Sequence, residues 1–234
     1  MHAFIVSDLH LGSSEARHQD FTRFLEALPA DATLVLNGDI ANHATKRQVC
    51  ESEGTAVVEQ LCRESFHRPI VWLSGNNDSC YRPEQPNQIE FSDHLAFGKE
   101  LYICHGHQFL AFPSRTRWLQ KLLGALCRLF HSDTGRTHHM ADILQRTPPL
   151  YRLACRIVSH GAIRFAPRHG YAAITCGHTH HAEEVTACGV RYINTGAWTT
   201  PTPSYVVVKD GDIRLEAFAV ESGDPASDPI RSVP

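Results

Sequence analysis

The sequence lacks the features that mark membrane-spanning, secreted and disulfide-stapled proteins. No run approaches the roughly 18 uninterrupted apolar residues that a transmembrane helix needs. Residues 1–12 contain no basic segment followed by an apolar stretch, so we expect no secretory signal. The eight cysteines are scattered and include no C-x-x-C pair, which indicates reduced thiols in a cytoplasmic protein.

The chain also has no Walker loop, no dinucleotide-binding glycine fingerprint and no internal repeat, which argues against those nucleotide-binding and repeat classes. Its 234 residues, 42% hydrophobic and 20% charged, fit one large domain or one domain with an insertion. The count of sixteen histidines is high for this length, so their positions are informative.

Five apolar runs each end in polar side chains that can bind metal ions. Asp8 and His10 follow the first run, residues 3–6. The others are Asp39 after 33–36, Asn76, Asn77 and Asp78 after 70–73, His105 and His107 after 101–104, and His178 and His180 after 171–176. The carboxyl ends of strands are where an open α/β sheet usually carries its chemistry. The pattern therefore predicts a metal site built from several strand ends.

The spacing of the elements indicates two sheets. Helical patterns over 15–28 and 45–65 separate the first three strands, which predicts parallel pairing with right-handed crossovers. From residue 171 onward the pattern consists of strands and turns. Residues 221–234, rich in proline, serine and aspartate, are predicted to be a disordered tail after a domain over 1–220.

The motifs D-x-H, G-D, G-N-x-D, H-G and G-H-x-H, in this order from Asp8 to His180, resemble those of the calcineurin-like metallophosphoesterases. Within that superfamily, the Asp8 motif and Asn194-Thr195-Gly196 resemble the bacterial UDP-2,3-diacylglucosamine pyrophosphohydrolases of lipid A synthesis. The resemblance implies an α/β fold, an αββα four-layer sandwich of two mixed sheets with a helical insertion.

The resemblance also implies a site for two divalent metal ions. It assigns Asp8, His10 and His180 to one ion and Asn76, His105 and His178 to the other, with Asp39 bridging. Asn76, Asp78 and His105 would be catalytic, and a metal-bound hydroxide would attack the phosphorus atom. Mixed imidazole and oxygen ligands favour Mn, our first choice, or Fe, Zn or Co, over Ca or an all-oxygen Mg site.

One position departs from a common pattern of the superfamily. Many of its phosphomonoesterases carry a histidine after the motif asparagine as the general acid, whereas this chain has Asn77. Since a carboxamide cannot donate a proton usefully near neutral pH, we expect a diester with a good leaving group or a pyrophosphate as substrate.

Residues 112–169 form the predicted insertion, and they are strongly basic. They hold ten basic and two acidic side chains, a net charge of +8; since the whole chain carries −3, the rest carries −11. Two basic amphipathic helices are predicted here. They either cover the metal site as a cap, where they hold an acyl chain or touch an anionic membrane surface, or simply dock onto the sandwich. The predicted substrate-binding residues are Asn77, Arg117, Lys121, Arg128, Arg152 and Asn194.

The sequence therefore predicts a metal-dependent hydrolase of a phosphodiester or pyrophosphate bond, with a lipid-linked nucleotide such as UDP-2,3-diacylglucosamine as the favoured substrate. A general phosphodiesterase or a serine/threonine-type protein phosphatase is the alternative on the same metals. A metal-free binding scaffold is the alternative of another class. The expected location is the cytoplasm, with contact to the inner face of the membrane left open. A nucleic-acid partner is disfavoured, because the aromatic residues lie with the apolar stripe instead of alternating with basic residues.

Overall fold

Two β-sheets packed face to face position the predicted metal ligands. The computed structural model describes residues 2–41, 53–110, 148–220 and 230–232. The strands are β1 His2–Val6, β2 Thr33–Asn37, β3 Ile70–Leu73, β4 Glu90–Ser92, β5 Leu95–Phe97, β6 Leu101–Ile103, β7 Ala173–Cys176, β8 Glu183–Ala187, β9 Val190–Asn194, β10 Ser204–Lys209, β11 Asp212–Phe218 and β12 Ile230–Ser232. The helices are α1 His18–Ala27, α2 Glu53–Glu64 and α3 Pro148–Arg168, and a short 3-10 helix covers His107–Leu110.

Both sheets are mixed. The first has the strand order β12-β11-β10-β1-β2-β3-β4, and the second has the order β5-β6-β7-β9-β8. The strands β1 to β4 are parallel, and β10 joins them in antiparallel pairing with β1. In the second sheet, β6, β7 and β9 are parallel. The predicted αββα sandwich is confirmed.

The apolar residues form three layers that follow from strand alternation. Phe4 and Val6 of β1 pack in a layer with the α1 and α2 residues Phe21 and Leu61, while Ala3, on the opposite face, lies in the layer between the sheets. Successive side chains of a strand point to opposite faces. A strand covered on both faces is therefore apolar on both, as β1 is from Ala3 to Val6.

Helix α3 belongs to the outer layer of the second sheet. Its residues Ala162 and Ala166 are fully buried in a cluster with Ile174 of β7 and Tyr192 of β9. This part of the predicted insertion therefore packs onto the sandwich, and the role of the insertion as a cap over the metal site stays a prediction. The sequence predicts an apolar stripe of Leu150, Leu153, Ala154, Ile157, Val158 and Phe165 on this helix. Among the side chains described, the buried ones are Cys155, Val158, Ala162, Ile163 and Ala166, so the stripe is right about Val158 and wrong about Leu153, which is 52% exposed. The first predicted helix of the insertion lies outside the described residues.

Two of the sequence predictions differ from the structure, and a third lies only partly within the described residues. Helix α1 begins at His18 instead of residue 15, because the preceding residues form turns in which Ser13 N–H and Ala16 N–H donate to backbone carbonyls three residues earlier. Helix α2 is described from Glu53 only, and the earlier part of its prediction lies outside the described residues. Ile230–Ser232 pair with β11, so the prediction of a disordered tail is wrong for these three residues. They can pair because β11 would otherwise be the edge strand of the first sheet, with backbone groups free to bind another strand.

Among the helices of the described ranges, none combines the length and the apolar character that crossing a bilayer requires.

Candidate metal centre

The loops that follow β1 and β2 run side by side and bring the first ligands together. Asp8 N–H donates to the carbonyl of Gly38 at 3.1 Å, and His10 N–H donates to the carbonyl of Asp39 at 3.0 Å. A single bridge between Leu11 and Ala41 extends this pairing beyond the strands. The parallel pairing of β1 and β2 thus continues into the two loops, and it places Asp8 and Asp39 close together.

Backbone strain marks the candidate site. Five of the predicted metal ligands adopt the left-handed conformation that favours glycine: Asp8, His10, Asp39, His178 and His180, with φ between 48° and 68°. A non-glycine residue in this region costs on the order of 1–3 kcal/mol and persists only where the surroundings impose it. Such strain typically collects at functional sites, and here it coincides with the ligand motifs.

The first ligand group consists of Asp8, His10 and His180, all buried. Asp8 Oδ1 lies 3.2 Å from His180 Nε2 and 3.8 Å from His10 Nε2. The two imidazole Nε2 atoms are 3.1 Å apart. Three donor atoms of carboxylate and imidazole type therefore converge on one point, as in a metal site.

The second group consists of Asp39, His105 and His178, whose ligand atoms all lie within 4.8 Å of one another. Asp39 Oδ2 is 3.5 Å from His105 Nε2, and His105 Nδ1 is 2.9 Å from the carbonyl of Asn37. The contact between His105 Nδ1 and the Asn37 carbonyl orients the imidazole ring so that its Nε2 faces the site. This arrangement is common for metal-binding histidines. Asp8 Oδ1 lies 4.0 Å from His105 Nε2 and connects the two groups.

The donor set fits two divalent cations. Within the described residues, Asp8 Oδ1 and His105 Nε2 are buried without a hydrogen-bond partner of normal geometry. A buried polar atom left without a partner costs about 1–3 kcal/mol. Cations placed between these atoms would remove that cost, so the two groups form a candidate binuclear site.

The four central ionisable groups perturb one another strongly. Burial lowers the pKa of His105, but the carboxylates of Asp39 and Asp8 more than offset this and raise it to about 10. Burial raises the pKa of Asp8, yet His105 and His180 bring it down to about 2. The pKa of His178 falls to about 3 through burial and the neighbouring His105. The two carboxylates thus favour the protonated ring of His105, whereas a bound metal ion would require the neutral ring.

Hydrogen bonds from neighbouring residues hold the carboxylates of Asp8 and Asp39 in the orientation in which they contact the ligand histidines. Asp8 Oδ2 accepts from Ser7 Oγ and, at 2.9 Å, from His178 N–H. Asp39 Oδ1 accepts the backbone N–H of Asn77 at 2.8 Å, and Asp39 Oδ2 accepts the Asn77 carboxamide at 2.6 Å. Supporting contacts of this kind fix the orientation of ligands.

Asp78, predicted to be catalytic, lies behind the ligands. Its carboxylate is buried and accepts from the N–H groups of Ile40 and Gly75, both at 2.8 Å, and from Trp72 Nε1 at 3.0 Å. Burial, followed by the nearby Asp39, raises the pKa of Asp78. Asp78 thus ties the Asp39 loop to the Gly75 loop, which is a positioning role, and its catalytic role stays a prediction.

The remaining predicted ligand, Asn76, and the predicted substrate-binding residues lie in different surroundings. Asn76 is exposed, whereas the adjacent Asn77 reaches Asp39, so a ligand role for Asn76 stays a prediction. Asn194, predicted to contact substrate, is fully buried and bonded to the backbone beneath the site, because it ends a central strand. Arg152 is exposed near the start of α3. Arg117, Lys121 and Arg128 lie outside the described residues.

Two further residues lie near the site and belong to none of the predicted ligand, catalytic or substrate-binding sets. The half-buried ring of His107 lies 5.5 Å from that of His105 and 6.2 Å from that of His178. The repeated histidine in His105-Gly106-His107 was the available signal. Tyr151 donates its hydroxyl hydrogen to the carbonyl of Thr179 at 2.9 Å. No sequence pattern indicates this contact between α3 and the loop that follows β7.

Comparison with known families agrees with this geometry. Residues 1–182 match the family described as calcineurin-like phosphoesterase. The chain belongs to this family, whose activity class is metal-dependent phosphoester hydrolysis. No curated protein matched in a separate search.

Solved structures of similar fold were also found. Vps29 from Chaetomium thermophilum has a TM-score of 0.53 at 8% identity, with 99% of this chain and 96% of that chain covered. Vacuolar Protein Sorting 29 from Cryptosporidium parvum has a TM-score of 0.52 at 14% identity, with 95% and 93% covered. YfcE, a phosphoesterase from E. coli, has a TM-score of 0.47 at 17% identity, with 99% and 100% covered. At these identities the similarity concerns the fold alone.

Proposed function

We propose that this protein hydrolyses a phosphodiester or pyrophosphate bond at a binuclear metal site, with Mn as our first choice of metal. The observation that carries the proposal is the pair of adjoining buried ligand groups, Asp8 with His10 and His180, and Asp39 with His105 and His178. When bound, two such ions lower the pKa of a coordinated water and neutralise charge on the phosphoryl oxygens.

The chain's own residues prepare the site in three ways. Asp8 and Asp39 supply the negative charge that attracts the cations. The carbonyl of Asn37 and the N–H groups of His178 and Asn77 fix the orientation of His105, Asp8 and Asp39. Burial excludes bulk water, which strengthens every electrostatic interaction at the site.

Asn77 supports a substrate with a good leaving group. Its carboxamide and its backbone N–H both donate to Asp39. The side chain at this position therefore orients a carboxylate and supplies no proton to a departing oxygen. A nucleoside phosphate released from a pyrophosphate, or an activated alcohol released from a diester, departs without that proton more readily than an alkoxide does.

The start of α3 supports a substrate that is anionic and partly apolar. Tyr151 contacts Thr179, which lies between the ligands His178 and His180. The next two residues, Arg152 and Leu153, are both exposed. Together with the +8 charge of residues 112–169, this favours a nucleotide joined to a lipid, such as UDP-2,3-diacylglucosamine, and with it contact between this region and an anionic membrane surface.

A three-substrate comparison with Mn²⁺ tests the proposal. We expect kcat/KM to be at least about tenfold higher for bis-p-nitrophenyl phosphate and for UDP-2,3-diacylglucosamine than for p-nitrophenyl phosphate. Because the two nitrophenyl esters release the same leaving group, which departs without a proton, this difference reports a preference for a diester or pyrophosphate over a monoester. Higher activity on the monoester would contradict the proposed diester or pyrophosphate substrate.

Matched variants of α3 separate the lipid-linked nucleotide from a general phosphodiester. Arg152→Gln should raise KM severalfold for UDP-2,3-diacylglucosamine and leave the nitrophenyl diester unchanged, while Arg168→Gln, at the far end of the same helix, should affect neither substrate. If only the nitrophenyl diester is hydrolysed, the general phosphodiesterase is correct.

A further inference from the structure

The segment Gly177–His180 serves both ligand groups at once. His178 belongs to the group of Asp39 and His105, and His180 belongs to the group of Asp8 and His10. Thr179 separates them by one residue. The conformation of this short segment therefore sets where the two groups lie relative to each other.

This conformation is strained. His178 and His180 have φ values of 68° and 59°, and Thr179 N–H donates to the carbonyl of Gly177 at 2.8 Å. Two non-glycine residues in the left-handed region cost on the order of 1–3 kcal/mol each. Contacts from outside the segment must offset that cost.

Asn194 provides the contact from the sheet beneath. It is the last residue of β9 and pairs in register with Cys176, the last residue of β7 and the one that precedes the segment. Its Nδ2 lies 2.7 Å from the carbonyl of Gly177 and 3.1 Å from Thr179 Oγ1. Asn194 therefore binds the segment at its first residue and at the residue between the two histidines.

The orientation of this amide is fixed. Asn194 Oδ1 accepts the N–H of Gly196 at 3.0 Å, so Nδ2 must point towards the segment. Nδ2 also lies 3.1 Å from the hydroxyl of Tyr192. The side chain is 0% exposed, and in a buried environment the loss of such donors is costly.

We propose that Asn194 is a positioning residue that holds Gly177–His180 in its strained conformation and thereby sets the affinity of both metal ions together. The inference rests on the binuclear centre proposed above. Removing the Nδ2 donors leaves the carbonyl of Gly177 with the Thr179 N–H of the same segment and takes the contact with β9 away from both Gly177 and Thr179. The segment then relaxes to ordinary backbone angles. His178 and His180 then leave their groups at the same time.

The test is Asn194→Asp, with Mn²⁺ affinity measured for both ions by competition with a chromogenic chelator. The variant keeps the size and the acceptor but replaces the donors with an oxygen. We expect both affinities to fall at least about tenfold, which is the usual effect of losing a group that orients a metal ligand. An added negative charge alone would strengthen cation binding, so a decrease reports the lost positioning.

Tyr192→Phe is the matched control. It removes one neighbour of the same amide and leaves the bonds to Gly177 and Thr179, so both affinities should remain within about twofold of the parent protein. The free energy of unfolding of each metal-free variant is measured as well. A purely structural Asn194 would lower that free energy and leave the affinities of the folded protein unchanged.

Each outcome decides the inference. Affinities within about twofold in Asn194→Asp, or a loss confined to one ion, would overturn it. If that variant does not fold, Thr179→Val, which removes one acceptor from the segment and preserves its shape, must weaken both ions. A parent protein that binds no metal would refute the proposed function itself, a different result from unaltered binding in the variant.

Discussion

Asp39→Asn should lower kcat for the nitrophenyl diester by at least about 100-fold and weaken metal binding by a comparable factor. Asp39 is buried, and its Oδ2 lies 3.5 Å from His105 Nε2 in the second ligand group. A carboxamide of the same shape carries no charge to attract a cation. Losing a group that only orients a ligand costs about 10–100-fold in affinity or activity, so losing a ligand should cost more.

The substitution also disturbs the hydrogen bonds to Asn77. Both Asp39 oxygens accept from that residue, and a carboxamide offers only one oxygen, so one donor would lose its partner. The same change at Asp212, which is 65% exposed beside Arg214, is the control and should leave kcat and metal affinity unaltered. An Asp39→Asn enzyme of normal activity would show that this carboxylate does not belong to the metal site.

Gly75→Ala should remove activity by displacing Asp39. A Cβ at position 75 would overlap the Oδ1 and the backbone nitrogen of Asp39, and it would lie 2.9 Å from Asp78 Oδ1. These neighbours are a ligand, backbone and a buried carboxylate, none of which can easily move away. Overpacking usually costs 1–3 kcal/mol, and a displacement of about 1 Å at a catalytic group can cost about 100-fold in rate.

The control for this substitution is Gly98→Ala. A Cβ there meets no atom within 4 Å, although the φ of 58° adds backbone strain. We expect lower stability and full activity from Gly98→Ala, and a loss of activity that exceeds the loss of stability from Gly75→Ala. Thermal unfolding and kcat measured together distinguish the two. A Gly75→Ala enzyme with the parent's kcat would mean that the two loops are not packed as tightly as described.

The sequence was sufficient to predict the fold and most of the ligand groups. Apolar runs such as residues 3–6 and 33–36 are uniform because both faces of their strands are covered, and each ends in the residues that meet at the sheet edge. The grouping of Asp8 with His10 and His180 followed from the family motifs, and the structure places the three together.

What the sequence could not supply was the direction and the depth of individual side chains. A polar residue at a strand end is equally suited to contact substrate or to support a loop. Asn194 proved to be buried, and Asp78 lies behind Asp39. The apolar stripe of α3 predicts that the helix is packed but not which surface it packs against. That surface is the second sheet.

Diffraction from crystals grown with Mn²⁺, recorded at the Mn absorption edge, will show whether two ions occupy the candidate metal centre. We expect two anomalous peaks of similar height, one among Asp8, His10 and His180 and one among Asp39, His105 and His178. A map with no peak there, or with a single ion bound elsewhere on the chain, would contradict this expectation.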